Sequence, residues 1–523
     1  MQAASEQHKM TRAAGVVGLA TLASRIGGFV RDVVIAYLFG AGPAADAFFV
    51  AFRIPNLLRR LFAEGTLTIA FIPVFTELLK KKGREEAFLL ARSTFSLLSL
   101  ALLAVTIAGV IFAPEVVRLI APGFTPGEDT FALAVEMTRW CLPYIFFISL
   151  VALAAGVLNS LGHFFAPAAA PALLNLTIIA TALVLSPRVD PPVLSLAMGV
   201  VIGGIAQLLM QLPYLKAKGV PFKPAWDLKN PALRRMLRLM IPAIFGAAVY
   251  QVAVLMDTIL ASFLPSGTVS YLYYADRLIQ FPLGIFAIAV STAILPSLSR
   301  QAADGDKKAL LSTMGYGLRL ILFITVPAMV GLLVLARPLV VLLFMRGEFT
   351  LEMAGETAGA VMGLGAGLWA IAGVRAVVQS FYALKDIRTP VAVAALCLVI
   401  KLAFSLALMG PLKQTGLALA TSASGVANLL LLLWLLRKRV GLLGGRRLFK
   451  SGLGTCAAAA VMGLLVALVA YGPDWGDPNG ALWRWARPMA ALGVGTASYF
   501  AAAKLMRLAE LGELWQVFRS RRA

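Results

Sequence analysis

The sequence predicts an all-α polytopic membrane protein with fourteen transmembrane helices, which form two pseudo-two-fold-related six-helix lobes plus two C-terminal helices. Three observations lead to this fold class: an apolar composition, an alternation of basic loops and an internal repeat. Of the 523 residues, 60% are hydrophobic and 14% are charged, and the mean hydropathy is +0.85. Soluble domains contain about 45–50% apolar and about 25% charged residues. The composition therefore excludes a cytosolic enzyme and a disordered chain.

Fourteen segments have the length and composition of a membrane span. About 20 mostly apolar residues cross the hydrocarbon core as a helix, and clusters of glycine, proline or charge separate such segments here. Pro55 and Pro282 predict a bend or a break in the second and the eighth segment, which are also polar in the middle. The predicted spans are 11–38, 45–79, 87–112, 130–158, 164–185, 193–215, 236–263, 268–298, 309–335, 351–383, 389–409, 414–436, 451–472 and 482–508.

The basic residues alternate between successive loops, as the positive-inside rule requires. With the N-terminus in the cytoplasm, the inner side holds about 27 Lys and Arg residues and the outer side about seven. The outer loops 39–44, 264–267 and 473–480 carry none. The pattern predicts that both termini are cytoplasmic and accounts for most of the net charge of +22. About 13 basic residues remain within or at the ends of the spans, where charge indicates function.

The chain repeats itself at an offset of about 224 residues. Parallel six-span repeats are typical of transporters whose binding site lies between the two halves. The repeat predicts an N-lobe at 1–222, a C-lobe at 223–440 and a C-terminal part at 441–523. The matching positions are Asp32 with Asp257, Gly123-Phe124-Thr125 with Gly347 and Phe349-Thr350, and Leu161 and Pro167 with Leu384 and Pro390.

The first two spans concentrate charge. An arginine that faces lipid at a helix centre costs about 2.5–3.5 kcal/mol. One interpretation is that these residues pair with each other, as Arg60 and Glu64 are spaced to do, or extend to the membrane surface. The other is a hydrated cavity for an anion, because guanidinium forks match phosphate and carboxylate oxygens. The charged residues are Arg25, Arg31, Arg53, Arg59 and Arg60, with Asp32, Asp46 and Glu64.

The second half of the chain offers a smaller polar set. In span 8, Arg277 follows Tyr273 by one turn and lies on the same face as Ser270. Asp257 in span 7 and Lys401 in span 11 are further ionisable residues within spans. They form either a structural ion pair or, at Asp257, a cation site.

Residues suited to catalysis or metal binding are scarce. The chain has three cysteines, all in apolar stretches, and two histidines. The sequence contains neither a P-loop motif nor a His-Glu-x-x-His motif. Because it shows no constellation of nucleophile, base or metal ligands, the sequence predicts a transporter without a cofactor, and not an enzyme.

Five stretches of spans 1, 2 and 8 are distinctive. They read SRIGGFVRD at 24–32, DAFF at 46–49, PNLLRRLFAEG at 55–65, YYADRL at 273–278 and FPLG at 281–284. They closely resemble the MurJ (MviN) family of bacterial lipid II flippases, part of the multidrug/oligosaccharidyl-lipid/polysaccharide exporter superfamily. The resemblance covers essentially the whole chain, including the arrangement of six, six and two spans.

The resemblance implies a function in peptidoglycan synthesis, cell-wall biogenesis and cell shape. The chain would flip the undecaprenyl-pyrophosphate-linked precursor lipid II from the cytoplasmic to the outer leaflet by alternating access. A cationic central cavity would bind the anionic head group, and spans 13 and 14 would hold the polyprenyl tail. The implied substrate-binding residues are Arg25, Arg31, Arg59, Arg60 and Arg277, with Asp46 and Ser270 as polar partners.

Two positions differ from the family pattern. Some members bind sodium through acids on spans 7 and 11. Here Asp257 matches, which makes it a sodium candidate, but Lys401 occupies span 11, so sodium coupling stays open. The family often has an acid where this chain has Gln280, so an ionic partner for Arg277 is missing there.

The implied location is the bacterial cytoplasmic (inner) membrane. The expected partners are lipid II, membrane lipids and other proteins of cell-wall synthesis, without nucleic acid, and the expected functional unit is a monomer. Two alternative functions stay open. One is export of another polyprenyl-linked sugar, and the other is a non-transporting membrane scaffold of cell-wall synthesis.

Overall fold

A computed structural model of the protein describes residues 2–60, 67–221, 223–227, 229–441, 445–471 and 481–513. Every regular element in these ranges is helical, which confirms the all-α fold class. The chain divides into two compact units, Met1–Ser270 and Tyr271–Ala523. The first unit contains α1 (Gln2–Phe39), α2 (Pro43–Leu58), α3 (Thr68–Lys81), α4 (Arg84–Ile111), α5 (Ala113–Ile120), α6 (Asp129–Cys141), α7 (Tyr144–Ser160), α8 (Phe165–Leu185), α9 (Leu194–Ala217) and α10 (Pro231–Ser262).

The helix α11 (Thr268–Pro282) begins in the first unit, and the remaining helices belong to the second. A π-helical turn, Leu283–Ala287, separates α11 from the next helix. Proline has no N–H for the preceding turn, and the hydrogen-bond pattern changes directly after Pro282. The bend or break at Pro55 and Pro282 stays a prediction. The later helices are α12 (Ile288–Ala303), α13 (Lys307–Val334), α14 (Ala336–Phe344), α15 (Leu351–Gly365), α16 (Leu368–Ala383), α17 (Arg388–Val440), α18 (Gly445–Ala470) and α19 (Ala481–Leu505).

The helices have the dimensions of a multi-pass membrane protein. Eight helical stretches in the described ranges are long and apolar enough to cross a bilayer. Two of these stretches combine neighbouring helices, α6 with α7 and α15 with α16, and a third is the whole of α17. The observed helices are consistent with fourteen spans, and that number stays a prediction.

The element α17 is a helical hairpin. Its backbone leaves the helical region at Lys413, where φ is 47° and ψ is −130°. Ser424 Oγ donates a hydrogen bond of 2.7 Å to the carbonyl oxygen of Cys397, 27 residues earlier. In one straight helix these residues would lie about 40 Å apart. The two arms therefore run antiparallel and correspond to the predicted spans 389–409 and 414–436.

Specific contacts fix both ends of this hairpin. At the closed end, Gly416 lies so close to Leu408 that a Cβ on Gly416 would be 2.2 Å from the Leu408 carbonyl oxygen. At the open end, Arg439 Nη1 pairs with Asp386 Oδ2 at 2.6 Å. The other carboxylate oxygen of Asp386 accepts a hydrogen bond of 3.0 Å from the backbone N–H of Thr389. Glycine is needed at the turn because only a hydrogen atom fits there.

The internal repeat is visible in the helix boundaries. The starts of α2 and α11 are 225 residues apart, those of α4 and α13 are 223 apart, and those of α7 and α16 are 224 apart. A short helix, α5 or α14, follows α4 or α13 in each case. The lobe boundaries at 1–222, 223–440 and 441–523 stay a prediction, whereas the first compact unit continues through α10 to Ser270.

The last two helices pack on α13 within the second unit. Phe323, Met462 and Tyr499 share an apolar core there, and Tyr499 Oη donates a hydrogen bond of 2.6 Å to the Phe323 carbonyl oxygen. Arg319 Nε on α13 pairs with Glu510 Oε1 at 3.2 Å. Apolar packing and the Tyr499 hydrogen bond therefore fix α18 and α19 to α13, and the Arg319 ion pair fixes the segment that follows α19.

The first prediction concerns the turn of the α17 hairpin. In Gly416→Ala, the new Cβ collides with backbone and not with a flexible side chain. Overpacking typically costs about 1–3 kcal/mol, so we expect a lower midpoint of thermal unfolding for the purified protein in detergent. Gly355→Ala is the matched control, because a Cβ there meets no atom within 4 Å. Equal midpoints for the two variants would contradict the hairpin geometry.

The second prediction concerns the pH dependence of the ion pair between Asp386 and Arg439 at the open end of the hairpin. Burial raises the pKa of this carboxyl, but the hydrogen bonds from Thr389 and the charge of Arg439 outweigh burial and hold the pKa below its usual value of 3.8. The ionised form therefore stabilises the folded state above that value, and the contribution is lost as the pH falls through the lower folded pKa.

We therefore expect Asp386→Asn to lower the free energy of unfolding at pH 7, and this difference to shrink below about pH 4. Denaturant unfolding of both proteins at pH 7 and at about pH 3 measures it. A difference that stays constant across this range would show that the charge of Asp386 does not stabilise the fold.

Candidate functional site

The charged residues at the centre of α1 form an ion pair. Arg31 is 6% exposed and Asp32 is fully buried. Arg31 donates to Asp32 Oδ1 from Nε at 3.0 Å and from Nη2 at 2.7 Å. Its Nη1 donates a third hydrogen bond, of 3.1 Å, to Asn175 Oδ1 on α8. Asp32 therefore neutralises the charge of Arg31 inside the first unit.

Arg25 stands on the same helix in a different environment. Its side chain is exposed, and it makes no hydrogen bond or ion pair with any residue in the described ranges. Because Asp32 offsets Arg31, Arg25 supplies the net positive charge of the segment 24–32. An arginine in this state has all five N–H donors available for an anion.

Asp46 on α2 caps the first turn of α11. Its side chain is buried, and its Oδ1 accepts hydrogen bonds from the backbone N–H of Ser270 at 2.8 Å and from Ser270 Oγ at 2.6 Å. Its Oδ2 accepts a hydrogen bond of 2.6 Å from the backbone N–H of Gly267. The first N–H groups of a helix have no partner inside the helix, and its dipole favours a negative charge there. The structure thus brings together the predicted polar partners Asp46 and Ser270.

The other arginines of α2 are half-buried. Arg53 Nε donates a hydrogen bond of 2.9 Å to Thr258 Oγ1 on α10. Arg59 Nη2 donates a hydrogen bond of 2.8 Å to Asn56 Oδ1, one turn earlier on α2. Arg60 has no hydrogen bond or ion pair with another described residue. Its predicted partner Glu64 lies outside the described residues.

In the second unit, an aromatic hydroxyl holds Arg277. Its Nη2 donates a hydrogen bond of 2.9 Å to Tyr273 Oη, and the guanidinium carbon lies 5.3 Å from the centre of the Tyr273 ring. A cation over an aromatic face is attracted by the electrons of the ring. Gln280 Nε2 donates a long hydrogen bond of 3.4 Å to Asp276 Oδ1. Tyr273 therefore orients Arg277 without cancelling its charge.

The two remaining ionisable residues lie in different units. Asp257 is half-buried on α10, and Lys401 is 6% exposed on α17. The ion pair between them and the sodium site at Asp257 both stay predictions. No group of three or more His, Cys, Asp and Glu residues that could hold a metal ion occurs within the part of the chain that the structure describes.

Two partners of these arginines are not apparent from the sequence alone. Asn175 and Thr258 are polar residues in apolar spans, and such residues often join helices in lipid. Asn175 is the only amide in the sequence of the predicted span 164–185. Nothing in the sequence identifies Arg31 as its neighbour, which depends on the packing of α8 on α1. Among the described residues, Arg25 and Arg60 make no hydrogen bond or ion pair, so their guanidinium groups can meet an anion with bidentate hydrogen bonds.

The cap at Asp46 yields the third prediction. Both carboxylate oxygens of Asp46 accept hydrogen bonds, so Asp46→Asn keeps one acceptor and Asp46→Ala keeps none. A cap of this kind contributes about 0.5–2 kcal/mol. We expect the thermal midpoint in detergent to fall in the order wild type, Asp46→Asn, Asp46→Ala. An alanine variant as stable as wild type would contradict the cap.

Comparisons with known proteins identify relatives of this chain. The family model described as lipid II flippase MurJ matches residues 35–473. A Vibrio cholerae protein described as a probable lipid II flippase MurJ is 37% identical over 505 residues, which cover 94% of this chain and 95% of that protein. A solved structure described as lipid II flippase MurJ in an inward closed conformation has a TM-score of 0.79 at 27% identity, covering 94% of this chain and 98% of that chain.

A more distant structure shares the fold. An inward-facing multidrug resistance MATE family transporter of the MOP superfamily has a TM-score of 0.68 at 16% identity, covering 81% of this chain and 96% of that chain. The family match covers most of the chain, and the Vibrio cholerae relative matches it almost end to end. The chain belongs to the MurJ family of lipid II flippases.

Proposed function

We infer that this chain flips lipid II across the bacterial inner membrane, as a transporter and not as an enzyme. The observation that carries this function is the family match over residues 35–473, on a chain whose membrane helices carry exposed and half-buried arginines. The lipid II head group contains a pyrophosphate and peptide carboxylates. Arginine binds both by paired, charge-assisted hydrogen bonds.

We propose that the arginines divide into two roles. Arg25, Arg59, Arg60 and Arg277 contact the head group, because their guanidinium groups are exposed or half-buried. Arg31 supports the site from within the first unit, because Asp32 and Asn175 already occupy its donors. Asp46 and Ser270 are likewise supporting partners, since they satisfy each other as a helix cap. The head group then crosses the membrane by alternating access.

The C-terminal helices are proposed to hold the polyprenyl tail. One face of α18 exposes a row of large apolar side chains, namely Leu453, Val461, Leu464 and Leu468. The opposite face packs into the core shared with α13. An apolar tail that lies along the exposed row makes van der Waals contacts without displacing any polar contact.

The remaining features follow from the charge pattern of the sequence and from the family. We propose that both termini lie in the cytoplasm, because loops rich in Lys and Arg alternate with loops that carry few of them. Asp257 is the candidate residue for sodium coupling. The chain works as a monomer among membrane lipids, in contact with other proteins of cell-wall synthesis.

The fourth prediction tests the proposed function directly. Purified protein in lipid vesicles is supplied with labelled lipid II, and the movement of the label between leaflets is followed. We expect wild type to move lipid II and Arg25→Ala to lower the initial rate about tenfold or more. A charge-assisted hydrogen bond contributes about 1.5–3 kcal/mol, and about 1.4 kcal/mol corresponds to a factor of ten.

The matched control is Arg118→Ala, since Arg118 on α5 is an exposed arginine that pairs with Glu115 at 3.4 Å. Equal rates for Arg25→Ala and Arg118→Ala would rule out Arg25 as a head-group ligand. Movement of another undecaprenyl-pyrophosphate sugar, but not of lipid II, would identify an exporter of a different substrate. Binding of lipid II without movement would identify a scaffold.

A further inference from the structure

Asn175 is a buried amide in an apolar helix. It is 6% exposed in the middle of α8, and burying an amide without hydrogen bonds costs about 1–3 kcal/mol. Both of its polar atoms are used, and both contact α1. Oδ1 accepts the hydrogen bond of 3.1 Å from Arg31, and Nδ2 donates one of 3.0 Å to the carbonyl oxygen of Ser24.

A pair of glycines on α1, Gly27 and Gly28, lies against this side chain. A Cβ on Gly27 would lie 3.6 Å from Asn175 Cβ, and a Cβ on Gly28 would lie 3.4 Å from Asn175 Nδ2. Both distances are those of ordinary van der Waals contact, so the backbone of α1 passes close to Asn175 at these two glycines. Small residues let helices approach closely in membranes, and polar residues then join them.

The two hydrogen bonds of Asn175 hold α1 at points nearly two turns apart. Ser24 precedes Arg25 directly, and Arg31 follows it by six residues. Successive residues of a helix are rotated by about 100°, so a rotation of this segment would change the direction of Arg25. Asn175 opposes such a rotation from α8, because it is bonded on both sides of Arg25.

We propose that Asn175 is a positioning residue for the head-group site: it fixes the rotation of α1 so that Arg25 meets the pyrophosphate, while Arg31 and Asp32 stay paired. The proposal rests on the proposed function, because it assigns a partner to the same site. Asn175 does not touch the substrate and acts through Arg25.

The test compares the affinity of detergent-solubilised variants for lipid II. Asn175→Leu keeps the approximate volume and removes both hydrogen bonds. The matched control is Thr181→Val, since Thr181 is also buried on α8 but bonds only to carbonyl oxygens of its own helix. We expect Asn175→Leu to weaken binding about tenfold, the equivalent of about 1.4 kcal/mol, and Thr181→Val to leave it unchanged.

A double-mutant cycle separates positioning from general stability. If Asn175 acts through Arg25, then Asn175→Leu causes no further loss of affinity in the Arg25→Ala background. A further tenfold loss in that background would overturn the proposal. A lower thermal midpoint with unchanged affinity in the single variant would overturn it too, because that result describes a residue that only holds the fold together.

A second variant, Asn175→Asp, tests the proposal independently of how well Asn175→Leu folds. Asn175→Asp keeps an acceptor for Arg31 and loses the donor to Ser24, so we expect it to weaken lipid II binding only in the presence of Arg25. If wild type fails to bind lipid II, the proposed function itself is wrong. If wild type binds and both Asn175 variants bind as tightly as Thr181→Val, only the positioning role is wrong.

Discussion

Burying a guanidinium or a carboxylate in a bilayer costs several kilocalories per mole unless a partner meets it, and the polar contacts of this protein follow from that cost. Arg31 is met by Asp32 and Asn175, Asp46 by the first N–H groups of α11, and Arg53 by Thr258. Apart from the pair of Arg31 with Asp32, each contact joins helices that are distant in sequence. The same groups that are expensive to bury therefore determine which helices are neighbours.

Close backbone approach is the second requirement, because lipid provides no hydrophobic force between helices. Glycines supply it at the contacts described above. Gly27 and Gly28 lie against Asn175, and Gly416 allows the arms of α17 to fold back on each other. A hydrogen bond at the close approach then fixes the position, as Ser424 does on Cys397. Close approach at glycines and hydrogen bonds from polar side chains thus hold these helices together, where lipid provides no hydrophobic driving force.

Helices and charges could be predicted from the sequence, because span length, basic loops and the 224-residue offset are local or periodic signals. The hydrogen-bond partners of the charged residues could not be predicted, because they depend on how the helices pack. Nothing near Arg31 in the sequence indicates that Asn175 on α8 accepts its hydrogen bond. Nor does the sequence distinguish Arg25 from Arg31, which share one motif but differ in exposure. The extension of the first compact unit through α10 also depends on contacts that no motif encodes.

The pairing of Arg31 with Asp32 also has an electrical consequence. Moving one elementary charge through a potential of 100 mV changes the free energy by about 2.3 kcal/mol. A guanidinium and a carboxylate that move together carry no net charge through that field. Any displacement of the segment 24–32 across the membrane therefore transfers the single charge of Arg25. A movement of this part of α1 through the field would therefore couple to the membrane potential as one elementary charge, although its sequence contains two arginines and an aspartate.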